Sequence, residues 1–312
     1  MALTITQTSD SISRVEQIFF EAVLRAVTFD SSTGIRQIQG TRDKFSMWEG
    51  STTDNIVQAY AAAPSEVGTA TAADTEFTID KKSINVAIPY DSLKNTVWKE
   101  AIENIHDMGL PAELQESMVM NITEKALKEV EAELWTSNAG ATGDPTETIN
   151  GFVKQINDKL TAASLTNQII SGANSFTDKS TIQGLMEAMI DVMPTALLDN
   201  QNGVKFFVSP ATAFAYRRSL ETQAAAVMND QSPVNFGGFE VQVIPNLNSR
   251  WLVLGKPENL GVGMPSAPND IINLRVNDQT PNNKNQANIF GNFGYGSGIV
   301  TTDWVTSQDT TA

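Results

Sequence analysis

The sequence predicts an α+β protein that carries extended elements beside its core. Three observations predict this. The stretch "PAELQESMVMNITEKALKEVEAELW", Pro111 to Trp135, reads as one uninterrupted helix. The stretch from Gly34 to Lys82 is poor in large apolar groups and rich in Ala, Thr and Ser. Beyond Gly151, helical patterns alternate with short apolar runs of strand length.

Taken in chain order, the first element is helical. Ile12, Val15, Phe19, Val23 and Val27 recur at steps of three and four within "DSISRVEQIFFEAVLRAVTFD", with Asp10 or Ser11 as cap. Lys and Arg do not crowd its polar face, so the stripe suits core or partner packing better than a membrane surface. Next, "RQIQGTRDKFSMW" alternates, and "STTDNIVQAYAAAPSEVGTATAADTEFTID" follows. Its Thr and Val favour strand. Too few large side chains remain to bury it against its own domain, so the expectation is a long, flat two-stranded excursion with Pro64 to Gly68 near its tip. A hairpin of that length needs a partner. "KKSINVAIPY" puts Ile84, Val86 and Ile88 on one face of a strand ended by Pro89. "DSLKNTVWKEAIENI" reads as a shorter helix.

Pro111 suits a first helical turn. Leu114, Met118, Ile122, Ala126, Val130 and Leu134 then recur every four residues. At 1.5 Å per residue the bar is about 35–40 Å long. Glu116, Glu124, Lys125, Lys128, Glu129, Glu131 and Glu133 make its other face, expected to be solvated or to meet neighbours, and Glu124 and Lys128 form an i,i+4 pair. "SNAGATGDP" stops the helix. "GFVKQI" is read as a short strand or turn. "KSTIQGLMEAMIDVMP" is helical, with Ile182, Leu185, Met186, Met189 and Ile190 as its apolar face. "VKFFVSP" is a strand buried on both faces. Ser209 caps a helix that has Pro210 in its first turn. "FEVQVIPN" and "RWLVLG" are strands, "NLGVGMPS" and "DIINLRVND" edge strands, and "QTPNNKNQAN" a polar loop. "IFGNFGYGSGIVTTDWVTS" is a Gly-punctuated strand with a bulge or bend.

Composition narrows the function. The chain has 312 residues, 41% apolar and 18% charged, enough for a sizeable core. The net charge of -15 opposes tight binding to nucleic acid, which needs surplus Lys and Arg, though not proximity to it. Cys is absent, which excludes disulfides and thiolate chemistry and fits a reducing compartment. The start "MALTITQTSD" lacks the basic and apolar regions of a signal peptide. No run approaches ~18 apolar residues, so no membrane span is expected.

Candidate chemistry is sparse. His106 is the only His; a multi-His zinc site is excluded and a Ser-His-Asp triad would rest on it alone. Gly291 to Gly298 lacks the spacing and following helix of a phosphate cradle. Glu131 and Glu133 fall on different sides of their helix and read as a solvated face. Arg217 and Arg218 could grip a phosphate or carboxylate, or could line a solvated or interface helix face. No catalytic, cofactor-binding or metal-binding residues are assigned, and no cofactor is expected. What remains are the parts of a building block, with elements that must be buried against other subunits.

That order of parts resembles the major capsid proteins of tailed bacteriophages, the HK97-like fold. The resemblance implies an N-terminal arm over 1–45, an E-loop hairpin over 46–82 and a P-domain over 83–150 with its spine helix at 111–137. An α/β A-domain would span 151–281, and 282–312 would return to the P-domain. "GATGDPTETINGF" resembles the loop and strand that follow the spine in this family, and "VKFFVSPATAFAYRRSLE" its strand, cap and helix. The implied function is self-assembly, in hexamers and pentamers, into the icosahedral shell around a double-stranded DNA genome, in the virion after assembly in the host cytoplasm. The implied partners are a separate scaffolding protein, a portal and cement proteins, with DNA touched weakly and no membrane. Some members seal the shell through an E-loop Lys; between Phe45 and Asp80 this chain has none, with Lys44, Lys81 and Lys82 only at the hairpin base. No such cross-link is expected. The alternatives are an encapsulin-type shell around cargo enzymes, an α/β hydrolase resting on His106 or an acidic pair, and a tail-tube or decoration protein.

Overall fold

In the computed structural model the described residues are 33–40, 43–52, 70–89, 112–139, 148–172, 175–221, 235–265, 275–277 and 286–310. The expected N-terminal helix with Ile12, Val15, Phe19, Val23 and Val27, the hairpin tip at Pro64 to Gly68, the helix from Asp91 and His106 lie outside them.

Alternation in the first half produces four strands. β1 (Arg36–Gly40) precedes β2 (Lys44–Thr52) and β3 (Ala70–Thr78). β2 and β3 pair antiparallel from Lys44↔Thr78 to Thr52↔Ala70 and form a sheet of their own. This is the expected two-stranded excursion. β4 (Asp80–Pro89) begins two residues later but joins another sheet, so the hairpin proper ends at Thr78 and not at Lys82. Ile84 and Val86 are half-buried while Ser83, Asn85 and Ala87 are exposed, as a period of two requires.

The long helix, α1, spans Ala112–Thr136. Ala126, Val130 and Leu134 are buried; Met118 and Ile122 are half-buried. Trp135 joins them with no exposed surface. The acidic face departs from expectation. Glu131 is buried and the Glu133 side chain keeps 14% exposure, because each carboxylate has donors arriving from distant strands and loops.

"GFVKQI" is neither strand nor turn but the start of α2 (Phe152–Ala162). Phe152, Val153, Ile156 and Leu160 are buried, a helical spacing that a six-residue window cuts short. Most of the loop and strand expected over 140–152 lies outside the described residues; of the part described, 148–151 form no strand and Phe152 begins α2. Gly151 makes the junction: a Cβ there would lie 2.8 Å from Glu133 O and from the Thr136 and Ser137 amides. The start of α2 therefore presses directly against the end of α1.

Then follow β5 (Ile169–Gly172), α3 (Ile182–Asp191), α4 (Thr195–Asp199), β6 (Lys205–Val208) and α5 (Pro210–Glu221). Ser209 caps α5 as expected, its Oγ accepting from the Thr212 amide at 3.1 Å. β7 (Asn235–Phe236) and β8 (Phe239–Val243) flank Gly237 and Gly238, both at positive φ, as a tight two-residue hairpin turn demands. The last strands are β9 (Trp251–Gly255), β10 (Leu260–Pro265), β11 (Arg275–Asn277), β12 (Gln286–Ile299) and β13 (Trp304–Asp309). β10 is no edge strand; it lies between β1 and β12. The Gly-punctuated segment is two strands in two sheets. β12 pairs with β4, β10 and β11, whereas β13 pairs with β5 and β9.

The six-stranded sheet, ordered β5-β13-β9-β6-β8-β7, is covered on both faces. Phe206, Val208, Leu252, Leu254 and Val305 pack with Ile182, Met186, Met189, Leu197 and Tyr216 of α3, α4 and α5. Phe207, Val253 and Trp304 pack with Leu134, Trp135, Phe152 and Ile156 of α1 and α2. Trp135 sits 5.2 Å, ring to ring, from both Phe152 and Phe207. The same core takes in Leu260, Val262, Tyr295 and Ile299, so α1 and α2 bind the two larger sheets together.

Candidate assembly surface

Much of the hairpin's surface is exposed among the described residues: Lys44, Ser46, Trp48 and Gly50 on β2, and Ala72 to Asp74, Glu76 and Thr78 on β3. Neither β2 nor β3 hydrogen-bonds to another strand among the described residues. Its root, in contrast, is firmly seated. Gly261 and Gly263 of β10 stand opposite Gly298 and Gly296 of β12 in the ladder. These four residues make a floor without side chains. A Cβ at Gly263 would overlap the Phe45 ring, one at Gly261 the Met47 sulfur, and one at Gly298 would come within 2.7 Å of Phe77. At Gly296 it would strike the Thr78 carbonyl. Phe45 and Phe77 stack with centroids 5.2 Å apart, and Phe45, Met47, Ile79 and Val300 form a small buried cluster.

Charges close the root. Lys44 pairs with Glu76 at 2.8 Å, and Lys81 with Asp43 at 3.0 Å. Glu76 is held below the usual carboxylate range by its hydrogen bond to Lys44 and by that charge. Further out, Glu49 of β2 lies 3.7 Å from Lys159 of α2, whose ammonium also donates to the carbonyls of Ile299 and Val300. Asp303, beside Glu49 and Lys256, is half-buried, and burial pushes its carboxyl up. The opposite face of β2 is bare: Trp48 is 63% exposed and folds over Gly50.

A second polar junction lies under α1. Lys82 and the Tyr295 hydroxyl both donate to Glu133, and the Thr148 amide approaches it at 3.4 Å. Burial, then the charge of Glu133, raises Tyr295 well above the usual phenol range, so it stays a proton donor to that carboxylate. The adjoining cleft of about 660 Å³ is lined by Lys81, Ala126, Glu129 and Phe293. On the other side of α1, Asn246 donates to Glu131 at 2.6 Å. Both carboxylates thus act as bolts between elements.

Of the residues considered from sequence, Arg217 and Arg218 lie exposed on α5, with Arg218 stacked 5.7 Å over the centroid of Phe214. Gly296 and Gly298, from the Gly291–Gly298 run, help seat the hairpin, a role the sequence reading missed. The available signal was a pair of G-x-G alternations, "GVG" at 261–263 and "GSG" at 296–298. Among the described residues no group of three or more His, Asp or Glu could hold a metal ion, and no helix is long and apolar enough to cross a membrane.

No protein-family model and no curated protein matches the chain. Solved structures do. A chain of the satellite phage P4 procapsid, in a structure including the size determination (Sid) protein, aligns with a TM-score of 0.59 and 11% identity. The match covers 94% of this chain and 98% of that one. A chain from Microbacterium phage Oxtober96 aligns at 0.53 with 10% identity, over 91% of this chain and 90% of that one. A chain from the capsid of an empty GTA particle aligns at 0.53 with 10% identity, over 90% and 89%. With its mixed helices and sheets in this order, the chain has the fold of phage capsid chains.

Proposed function

We propose that the chain is the structural subunit of an icosahedral shell, assembled in a bacterial host around the double-stranded DNA of a tailed phage. The observation that carries this reading is the extent of the likeness. It takes in at least nine-tenths of both chains for the P4 procapsid, so it covers the whole order of elements and not one lobe. On this reading β2 and β3 are the E-loop, α1 is the spine helix, and α1 with β4 and β12 form the P-domain. The six-stranded sheet with α3 to α5 is the A-domain; β13 belongs with it by its pairing, while β12 alone returns to the P-domain. The subunit works by contact and not by catalysis.

Hexamers and pentamers of this chain would share the load among several neighbours, so modest interfaces add up around a closed surface. A separate scaffolding chain, a portal and cement proteins complete the particle. No E-loop Lys is available to cross-link the shell, and Lys44 and Lys81 at the hairpin root face carboxylates. The charge of -15 keeps packaged DNA from adhering to the wall.

Electron microscopy of the purified protein, with and without a co-expressed scaffold, tests the reading alongside sedimentation. Closed shells are the expected result. A monomer under every condition, with a folded spectrum, overturns it.

A further inference from the structure

Two neighbouring helices on one face of the six-stranded sheet carry opposite outer stripes. On α5, Phe214, Arg217 and Arg218 are exposed at i, i+3 and i+4. Phe214 is 63% exposed under the Arg218 guanidinium, and Arg217–Arg218 is the chain's only Arg–Arg pair. On α3, Gly184, Glu187 and Asp191 are exposed at i, i+3 and i+7, and the helix has no Lys or Arg. Four residues after α3 ends, α4 exposes Leu198, at 42%, and Asp199. Gln183 of α3 donates to Ser219 of α5 at 3.0 Å, so the two stripes are held in fixed relation.

We propose that the α5 ridge of one copy docks on the α3–α4 stripe of the next. Phe214 meets Leu198, and Arg217 and Arg218 meet Glu187, Asp191 and Asp199. This rests on the shell reading and names the surface it needs. The complement favours a second copy over nucleic acid. On a chain with 36 acidic and 21 basic residues, two copies repel over most of their surface, and an aromatic–arginine ridge opposite an aliphatic–acid stripe is where that repulsion reverses. Aromatic residues, Phe among them, and Arg are also enriched at protein interfaces. Ridge and stripe are different surfaces, so the contact is head-to-tail. Such contacts close into rings when the rotation permits.

The test is charge reversal with rescue, read as the fraction of protein in shells by sedimentation and microscopy at one concentration. R217E/R218E and E187K/D191K should each lower that fraction about tenfold or more, since like charges then face each other, with circular dichroism and melting unchanged. The combined four-residue variant should recover most of the loss, because the pairs are restored with exchanged signs. Phe214→Ser should lose assembly in either background. Shells from both reversed variants at parental yield overturn the proposal, as does loss without recovery in the combined variant. Normal shells from R217E/R218E that fail only to retain DNA also overturn it, by giving the arginines to nucleic acid. A parent chain that never leaves the monomer is a different failure: it removes the shell reading, and this surface with it.

Discussion

Phe206 and Phe207 are neighbours in β6, and both are fully buried, each in a different core. Met47 and Trp48 are neighbours in β2, yet Met47 is 2% exposed and Trp48 63%. The strands are alike in period; what differs is what lies on each side. The six-stranded sheet has helices on both faces, so it satisfies its own apolar surface. The hairpin has a glycine floor under one face and nothing described over the other. Among the described residues one region is covered on both faces, and the other is anchored on one face with the other exposed.

The largest effect should come from breaking the region covered on both faces. Phe207→Ala is expected to cost about 3–5 kcal/mol, seen as a lower urea midpoint for the whole protein. Phe45→Ala removes a similar ring from the root. The comparison predicts that the lobe's transition hardly moves while hydrogen exchange of the β2 and β3 amides accelerates. If both substitutions shift the global midpoint equally, hairpin and lobe are one cooperative unit.

The junction between the regions comes next. Glu133→Ala leaves Lys82 without that carboxylate and the Tyr295 hydroxyl without its acceptor. The loss should be about 2–3 kcal/mol, below that of a fully buried pair because both ionic side chains keep 14% exposure. Thermal melts of the variant and of Glu133→Gln, which still accepts a hydrogen bond, would separate charge from contact. Gly263→Val tests the floor directly. Its added methyl groups collide with Phe45, and overpacking of about 1–3 kcal/mol should appear as hairpin release with the six-stranded lobe intact.

Two smaller effects sharpen the contrast. Ser209→Ala should cost about 1 kcal/mol through the lost cap of α5, and only in the lobe. At the hairpin's flank, Asp303 has its folded pKa raised by burial. Between the ordinary carboxylate value and that raised value the folded state binds more protons, so this group favours folding at lower pH and its contribution is lost as pH rises through the window. Asp303→Asn should therefore be more stable than the parent above that window and no more stable below it. A pH series of melts in which the two chains run parallel would remove Asp303 from the account.

Much of this protein follows from short-range pattern. The period-four run fixes α1, the alternations fix β2 and β4, the Thr and Val content of its stretch fixes β3, the apolar run fixes β6, and Ser209 with Pro210 fixes the start of α5. Each depends on residues a few positions apart, where backbone geometry dictates which side chains share a face. The polar bolts and the hairpin seat do not depend on that scale. Glu131 and Glu133 looked solvated because nothing within their helix turn explains burial; their donors Asn246, Lys82 and Tyr295 come from remote segments. "GFVKQI" looked ambiguous because six residues hold less than two turns. The glycines of "GVG" and "GSG" gain meaning only once β10 and β12 pair and bring four bare positions together beneath Phe45, Met47 and Phe77. The sequence by itself determined α1, the strands β2 to β4 and β6, and the start of α5. Only the tertiary structure decided which faces meet, because burial and register are set by contacts between residues far apart along the chain.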